Sequence, residues 1–220
     1  TLTLKDVNNC TKTATVTLSQ PTALTSVPTS ANMNCFGVCD GTANANAGGG
    51  TSPYTYLWNA GGLTTSAVSG LCLGTYTLDV TDANGCTVQK NITITQPALL
   101  TATPSKTDVS CAGACDGSVT ATVAGGTTPY TYAWSPGGCT TSACASLCAN
   151  TYSVLVTDVN GCTTTNTITL TQPALLTNTF VSSNYNGQNI SCNGLSNGSI
   201  DLSVSGGTTV YTYAWSNSQT

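Results

Sequence analysis

The chain has 220 residues, 40% of them hydrophobic but only 5% charged; four lysines and eight aspartates give a net charge of −4, with no arginine, glutamate or histidine. The absence of a basic patch argues against a nucleic-acid partner. Without those three residue types there is no Ser-His-Asp triad, Cys-His pair, glutamate dyad or arginine clamp, so the chain does not read as an enzyme and implies no cofactor. No apolar run approaches the roughly 18 residues of a membrane span, so membrane insertion is not expected.

Read from the N-terminus, Asp6-Val7-Asn8-Asn9-Cys10 returns as Asp82-Ala83-Asn84-Gly85-Cys86 and as Asp158-Val159-Asn160-Gly161-Cys162, each step being 76 residues. Gln20-Pro21, Gln96-Pro97 and Gln172-Pro173 keep the same interval. Pro53-Tyr54-Thr55-Tyr56-Leu57-Trp58 returns as Pro129-Tyr130-Thr131-Tyr132-Ala133-Trp134 and, 81 residues later, as Val210-Tyr211-Thr212-Tyr213-Ala214-Trp215. The five extra residues fall within 180–190, as length drift in a loop does. A period this long means one small domain per copy rather than a solenoid turn. The expected organisation is the C-terminal part of a repeat in residues 1–22, complete repeats in 23–98 and 99–174, and the N-terminal part of a fourth in 175–220, so that both ends fall inside a repeat.

Each copy reads as all-β. Residues 42–47, 118–123 and 199–204 alternate apolar and polar at period two, the pattern of a half-buried strand, and Gly48-Gly49-Gly50, Gly125-Gly126 and Gly206-Gly207 break the chain before the tyrosine-rich strand. Residues 75–80 and 87–94 alternate on either side of Asn84-Gly85, which predicts a hairpin with a type I′ turn. Six or seven short strands per copy predict tandem immunoglobulin-like antiparallel β-sandwich domains of about 76 residues.

The repeats also sort the cysteines. Cys35, Cys111 and Cys192 correspond to one another, as do Cys10, Cys86 and Cys162; Cys39 with Cys72 and Cys115 with Cys148 recur in the two complete copies, and Cys139 and Cys144 occur together in one copy only. This co-occurrence predicts disulfides Cys35–Cys86, Cys39–Cys72, Cys111–Cys162, Cys115–Cys148 and Cys139–Cys144, with Cys10 and Cys192 paired outside the sequence or between molecules. Cys35–Cys72 with Cys39–Cys86 is the other connectivity that the sequence leaves open. Such density implies an oxidising compartment, outside the cell or in a periplasm; the localisation expected is extracellular, at the cell surface. Cys35-Phe36-Gly37-Val38-Cys39 has the spacing of half a zinc knuckle, but Ser196 replaces its second cysteine in the fourth copy, and no metal site is expected.

The run Cys111, Asp116-Gly117-Ser118, Gly125-Gly126-Thr127-Thr128-Pro129-Tyr130-Thr131-Tyr132-Ala133-Trp134 and Thr157-Asp158-Val159-Asn160-Gly161-Cys162 resembles the SprB repeat of Bacteroidota cell-surface proteins. Residues 35–97 show the same motifs, and both terminal fragments match their halves. The resemblance implies a very large, secreted cell-surface adhesin of tandem repeats, exported by the type IX system and in some members moved during gliding motility. The Cys39/Cys72 pair and the scarcity of charge depart from the usual pattern.

Tyr54, Tyr56 and Trp58 lie on one face of a strand; the expectation is a sandwich core, with a sugar-stacking face, and hence surface glycans as partners, as the alternative. Tyr76 and Tyr152 are expected at strand corners. Asp6, Asp40, Asp82, Asp116, Asp158 and Asn197 are expected to brace turns rather than bind calcium, because no dense acidic loop is present. Sequons occur at Asn9, Asn91, Asn189 and Asn197. The sequence thus predicts a structural segment of an extracellular filament or adhesin whose partners are neighbouring repeats. A fibre subunit whose terminal half-domains complete each other between like chains, through Cys10 and Cys192, is the alternative.

Overall fold

The computed structural model describes residues 1–216, and among these the secondary structure is entirely strand and turn. Backbone contacts divide the chain into two compact units, Thr1–Pro97 and Ala98–Thr220.

In the first unit, β1 (Leu2–Lys5) and β2 (Thr11–Ala14) form an isolated hairpin. The complete copy that follows contains β3 (Thr25–Ser26), β4 (Thr29–Ala31), β5 (Gly41–Asn44), β6 (Ala47–Gly48), β7 (Thr55–Trp58), β8 (Ala67–Leu71), β9 (Gly74–Thr81) and β10 (Thr87–Ile94). One antiparallel sheet runs β4-β5-β8, the other runs β10-β9-β7, and β3 and β6 form a separate two-stranded pair. Between them lie Ala43, Trp58, Val68, Leu71, Leu78, Val80, Ile92 and Ile94, contributed by both sheets. Sequence alternation accounts for this: along β9 the residues Leu78 and Val80 point inward, and Asp82 continues the same row just beyond the strand.

The second unit repeats the plan with β11 (Thr101–Thr107), β12 (Gly117–Ala124), β13 (Tyr130–Ser135), β14 (Ala143–Leu147), β15 (Asn150–Asp158) and β16 (Thr163–Leu170). Its sheets are β11-β12-β14 and β13-β15-β16, closing over Val119, Trp134, Tyr152, Val154, Val156 and Leu170. Both complete copies are therefore immunoglobulin-like antiparallel sandwiches. Within the same unit β17 (Thr177–Ser182) pairs with β18 (Ile200–Ser205), the front of a further copy. Residues 217–220 of that predicted fragment lie outside the described residues.

Two local expectations need correction. The strand expected over 42–47 is interrupted, whereas its counterpart β12 is continuous. The cause is Asn46, whose φ of 44° lies in the left-handed region and whose side-chain amide donates to Val27 C=O (3.1 Å) and Thr29 Oγ1 (3.2 Å). The equivalent Thr122 is β-branched, a residue type that disfavours that conformation. The Asn84-Gly85 hairpin is also not type I′, since only Gly85 has positive φ. Gly85 N–H donates to Asp82 C=O and Asp82 N–H to Cys86 C=O, each at 3.0 Å, giving a three-residue loop with glycine in the left-handed position. The Asp82 carboxylate takes the Asn84 N–H, holding Asn84 in a conformation that a type I′ turn does not use.

In the third copy Cys139 and Cys144 occupy the places of Leu63 and Val68. The backbone is unchanged, with Trp58 N–H to Leu63 C=O and Trp134 N–H to Cys139 C=O both at 2.9 Å, and Val68 and Cys144 are both 7% exposed. The double variant Cys139→Leu/Cys144→Val should therefore fold, losing at most the roughly 2 kcal/mol of loop-closure entropy that so short a bridge supplies. Urea unfolding of the two proteins measures the difference.

Candidate functional site

The chemistry of the repeat is concentrated at its two ends, where the chain enters and leaves. At the C-terminal end of residues 23–98, the loop 33–40 folds over the last residues of the copy. Met33 N–H donates to Thr95 C=O (3.0 Å) and Gly37 N–H to Gln96 Oε1 (2.9 Å). Asp40 closes the loop by accepting from Asn34 N–H (3.0 Å) and Asn34 Nδ2 (2.7 Å). The next copy reproduces this with Val109 N–H on Thr171 C=O, Gly113 N–H on Gln172 Oε1 (2.9 Å), and Asp116 accepting from the amide and hydroxyl of Ser110. In the fourth copy Asn197 accepts from Ser191 N–H (3.2 Å) and donates to Ser191 Oγ (2.6 Å), so the amide replaces the carboxylate without loss of the brace. The recurring Gln-Pro exit thus has a physical role: glutamine ties the end of one copy to its own cysteine loop.

At the N-terminal end, Gly50 N–H donates to Thr22 C=O and Gly126 N–H to Ala98 C=O, both at 2.8 Å. An alanine Cβ at Gly125 would lie 1.9 Å from Leu99 C=O, so only glycine permits this approach. Against the same turn sits the aspartate hairpin. Asp82 is 5% exposed and accepts from Thr51, Asn84 and Cys86 N–H, each at 2.9 Å; Asp158 does the same with Thr127, Asn160 and Cys162. Asp6 holds Asn8 and Cys10 in the same way. These aspartates organise backbone; among the described residues no three of His, Cys, Asp and Glu converge as metal ligands.

The Thr51 N–H, followed by those of Cys86 and Asn84, holds the Asp82 carboxyl below the usual range against the opposing effect of burial. Asp108 is depressed by Thr171 N–H and then Lys106, and Asp116 by the Ser110 hydroxyl and then its N–H. A depressed folded-state value means that stability is fully present above the unfolded-chain value near pH 4 and is lost as pH falls through the folded values. The melting temperature should accordingly be insensitive to these groups from neutrality to about pH 4 and fall below it. A rise on acidification would contradict the assignment.

Disulfides Cys39–Cys72, Cys115–Cys148 and Cys139–Cys144 lie within single copies. The expected bonds Cys35–Cys86 and Cys111–Cys162 are not formed. Cys86 and Cys111 are exposed free thiols, as are Cys10 and Cys192, while Cys35 and Cys162 are disulfide-bonded. The reason is distance within the copy. Cys35 lies in the loop bound to Thr95 and Gln96, past the C-terminal end of β10, whereas Cys86 immediately precedes the first residue of that strand. Eight strand residues span about 26 Å, whereas a disulfide requires Cα atoms within about 7 Å. Cys111 and Cys162 are separated in the same way by β16.

In the two complete copies Trp58, Trp134 and Tyr152 lie in the cores, and Tyr54, Tyr56, Tyr76, Tyr130 and Tyr132 pack against them. Trp58 and Trp134 are 0% and 3% exposed, and their indole N–H groups donate to Thr65 and Thr141 C=O at 3.0 Å. Tyr54 and Tyr130 donate to Gly49 and Gly125 C=O, fastening the glycine turn to the tyrosine strand. Tyr76 and Tyr152 donate to Cys72 and Cys148 C=O at 2.9 and 3.0 Å, locking the strand corner beside each long-range disulfide. The sequon residues Asn9, Asn91, Asn189 and Asn197 are all exposed.

The sequence profile of the SprB repeat matches residues 27–63, 103–138 and 184–220, together half of the chain. No curated protein matches. Among solved structures, the amphioxus IgVJ-C2 molecule is similar at 14% identity and a TM-score of 0.29, over 56% of this chain and 91% of that one.

Proposed function

The chain belongs to the SprB repeat family, and from that premise we propose that it is a structural segment of a secreted cell-surface adhesin, a tandem array that carries binding elements located elsewhere along it. The observation that supports this most directly is that most side chains carrying chemistry recur once per copy and are consumed in building the copy: aspartates hold backbone amides, tryptophans fill cores and one long-range cysteine pair bridges each complete copy. A surface of threonine, serine and asparagine suits an extracellular spacer, and the family relation supports the cell surface as its location. The partners on this reading are neighbouring repeats. Antibody against residues 23–174 should label intact producing cells, and external protease should remove the label; labelling only after permeabilisation would contradict the reading.

A further inference from the structure

Asparagine followed by glycine deamidates readily in an unfolded chain, because no side chain obstructs the glycine nitrogen. That nitrogen, once it has lost its proton, attacks the asparagine Cγ; a Cγ–N bond forms, the Cγ–Nδ2 bond breaks and ammonia leaves. Water then opens the succinimide at either carbonyl, giving aspartate or isoaspartate. Asn84-Gly85 and Asn160-Gly161 put this pair into the aspartate hairpin of each complete copy. Isoaspartate there would lengthen the main chain between two amides that one carboxylate holds at 2.9 Å, those of Asn84 and Cys86 on Asp82 and those of Asn160 and Cys162 on Asp158.

Both reacting groups are engaged in the folded copy. Gly85 N–H donates to Asp82 C=O and Gly161 N–H to Asp158 C=O, each at 3.0 Å, so the nucleophile is a bonded donor. The Asp82 carboxylate accepts from the residues on either side of Gly85, and its negative charge opposes removal of a proton from the amide between them. The leaving amide is held as well: Asn84 Nδ2 donates to Thr51 Oγ1 (2.9 Å) and Asn160 Nδ2 to Thr127 Oγ1 (3.2 Å). The threonines are fixed in turn, since Thr51 and Thr127 N–H donate to the second oxygen of Asp82 and Asp158 at 2.9 Å.

We propose that Thr51 and Thr127 are hydroxyl latches that protect the hairpin asparagine of their copy from deamidation, by holding its amide away from the following glycine nitrogen. The backbone bond to aspartate could be made by any residue except proline; the hydroxyl is what the latch requires, and threonine holds the same place again at Thr208.

The test incubates the whole chain in mildly alkaline buffer, native and in urea, and follows each asparagine by peptide mass mapping. Asn84 and Asn160 should convert about tenfold or more slowly in the native chain, where two hydrogen bonds must first be given up. Thr51→Val should speed conversion at Asn84 by about 2–10-fold, the factor one net hydrogen bond supplies, with Asn160 as the unchanged control. Thr51→Ser, which keeps the hydroxyl, should retain the slow rate. Equal rates in the native and urea-treated chains, or an Asn84 rate unaffected by Thr51→Val, would overturn the proposal. So would equal acceleration in the serine variant, because the effect would then come from packing. The tandem-array reading does not depend on any of these outcomes.

Discussion

Trp134→Ala should destabilise its repeat by about 3–5 kcal/mol, the range for removing a large aromatic from a packed core. The indole lies between the sheets among Val119, Tyr152, Val154 and Val156, and its removal also strips the Thr141 carbonyl of its donor. A small domain has only about 5–15 kcal/mol in total, so the variant copy should unfold at much lower denaturant than its neighbour. Circular dichroism of the variant in urea should then show an early transition from residues 99–174 and a later one from 23–98, whose core keeps Trp58. A loss under about 1 kcal/mol would contradict the core placement and reopen the sugar-stacking interpretation of the aromatic strand.

Removing the Cys115–Cys148 bridge by Cys115→Ala/Cys148→Ala should lower stability by about 4 kcal/mol, because loop-closure entropy grows with the length of chain enclosed. That bridge spans 33 residues against five for Cys139–Cys144. The long bridge also anchors the carbonyl that Tyr152 caps, so both supports of that corner weaken together. Urea midpoints of the double variant and of the parent, both without reductant, measure the loss. Equal midpoints would show that the sandwich core alone fixes that corner.

The repeat architecture was legible because a 76-residue period can be read without knowing what it encodes, and strand alternation in residues 118–123 and 87–94 translates directly into half-buried strands. The buried tryptophans were legible for the same reason. Besides the turn type at Asn84-Gly85, two features resisted. The break at Asn46 depends on one residue accepting positive φ, which composition does not announce. Cysteine recurrence identified two classes but carried no information on whether a pair closes within a copy, since every copy owns one of each. The separation that decides it is the length of β10 or β16, a property of the folded strand. A usable signal was nonetheless present: the hairpin cysteine directly precedes an eight-residue alternating run and the loop cysteine belongs to the opposite end of the copy, so the run's length already opposed pairing.

The central claim, that this chain is part of a passive tandem array, is tested most directly by the mass of the native protein on a denaturing gel with and without reductant. The account predicts a reduced chain of several hundred kDa, far above the 22.2 kDa of the 220 residues. A reduced band near 22.2 kDa that becomes a ladder when reductant is omitted would contradict it and establish disulfide-linked subunits instead.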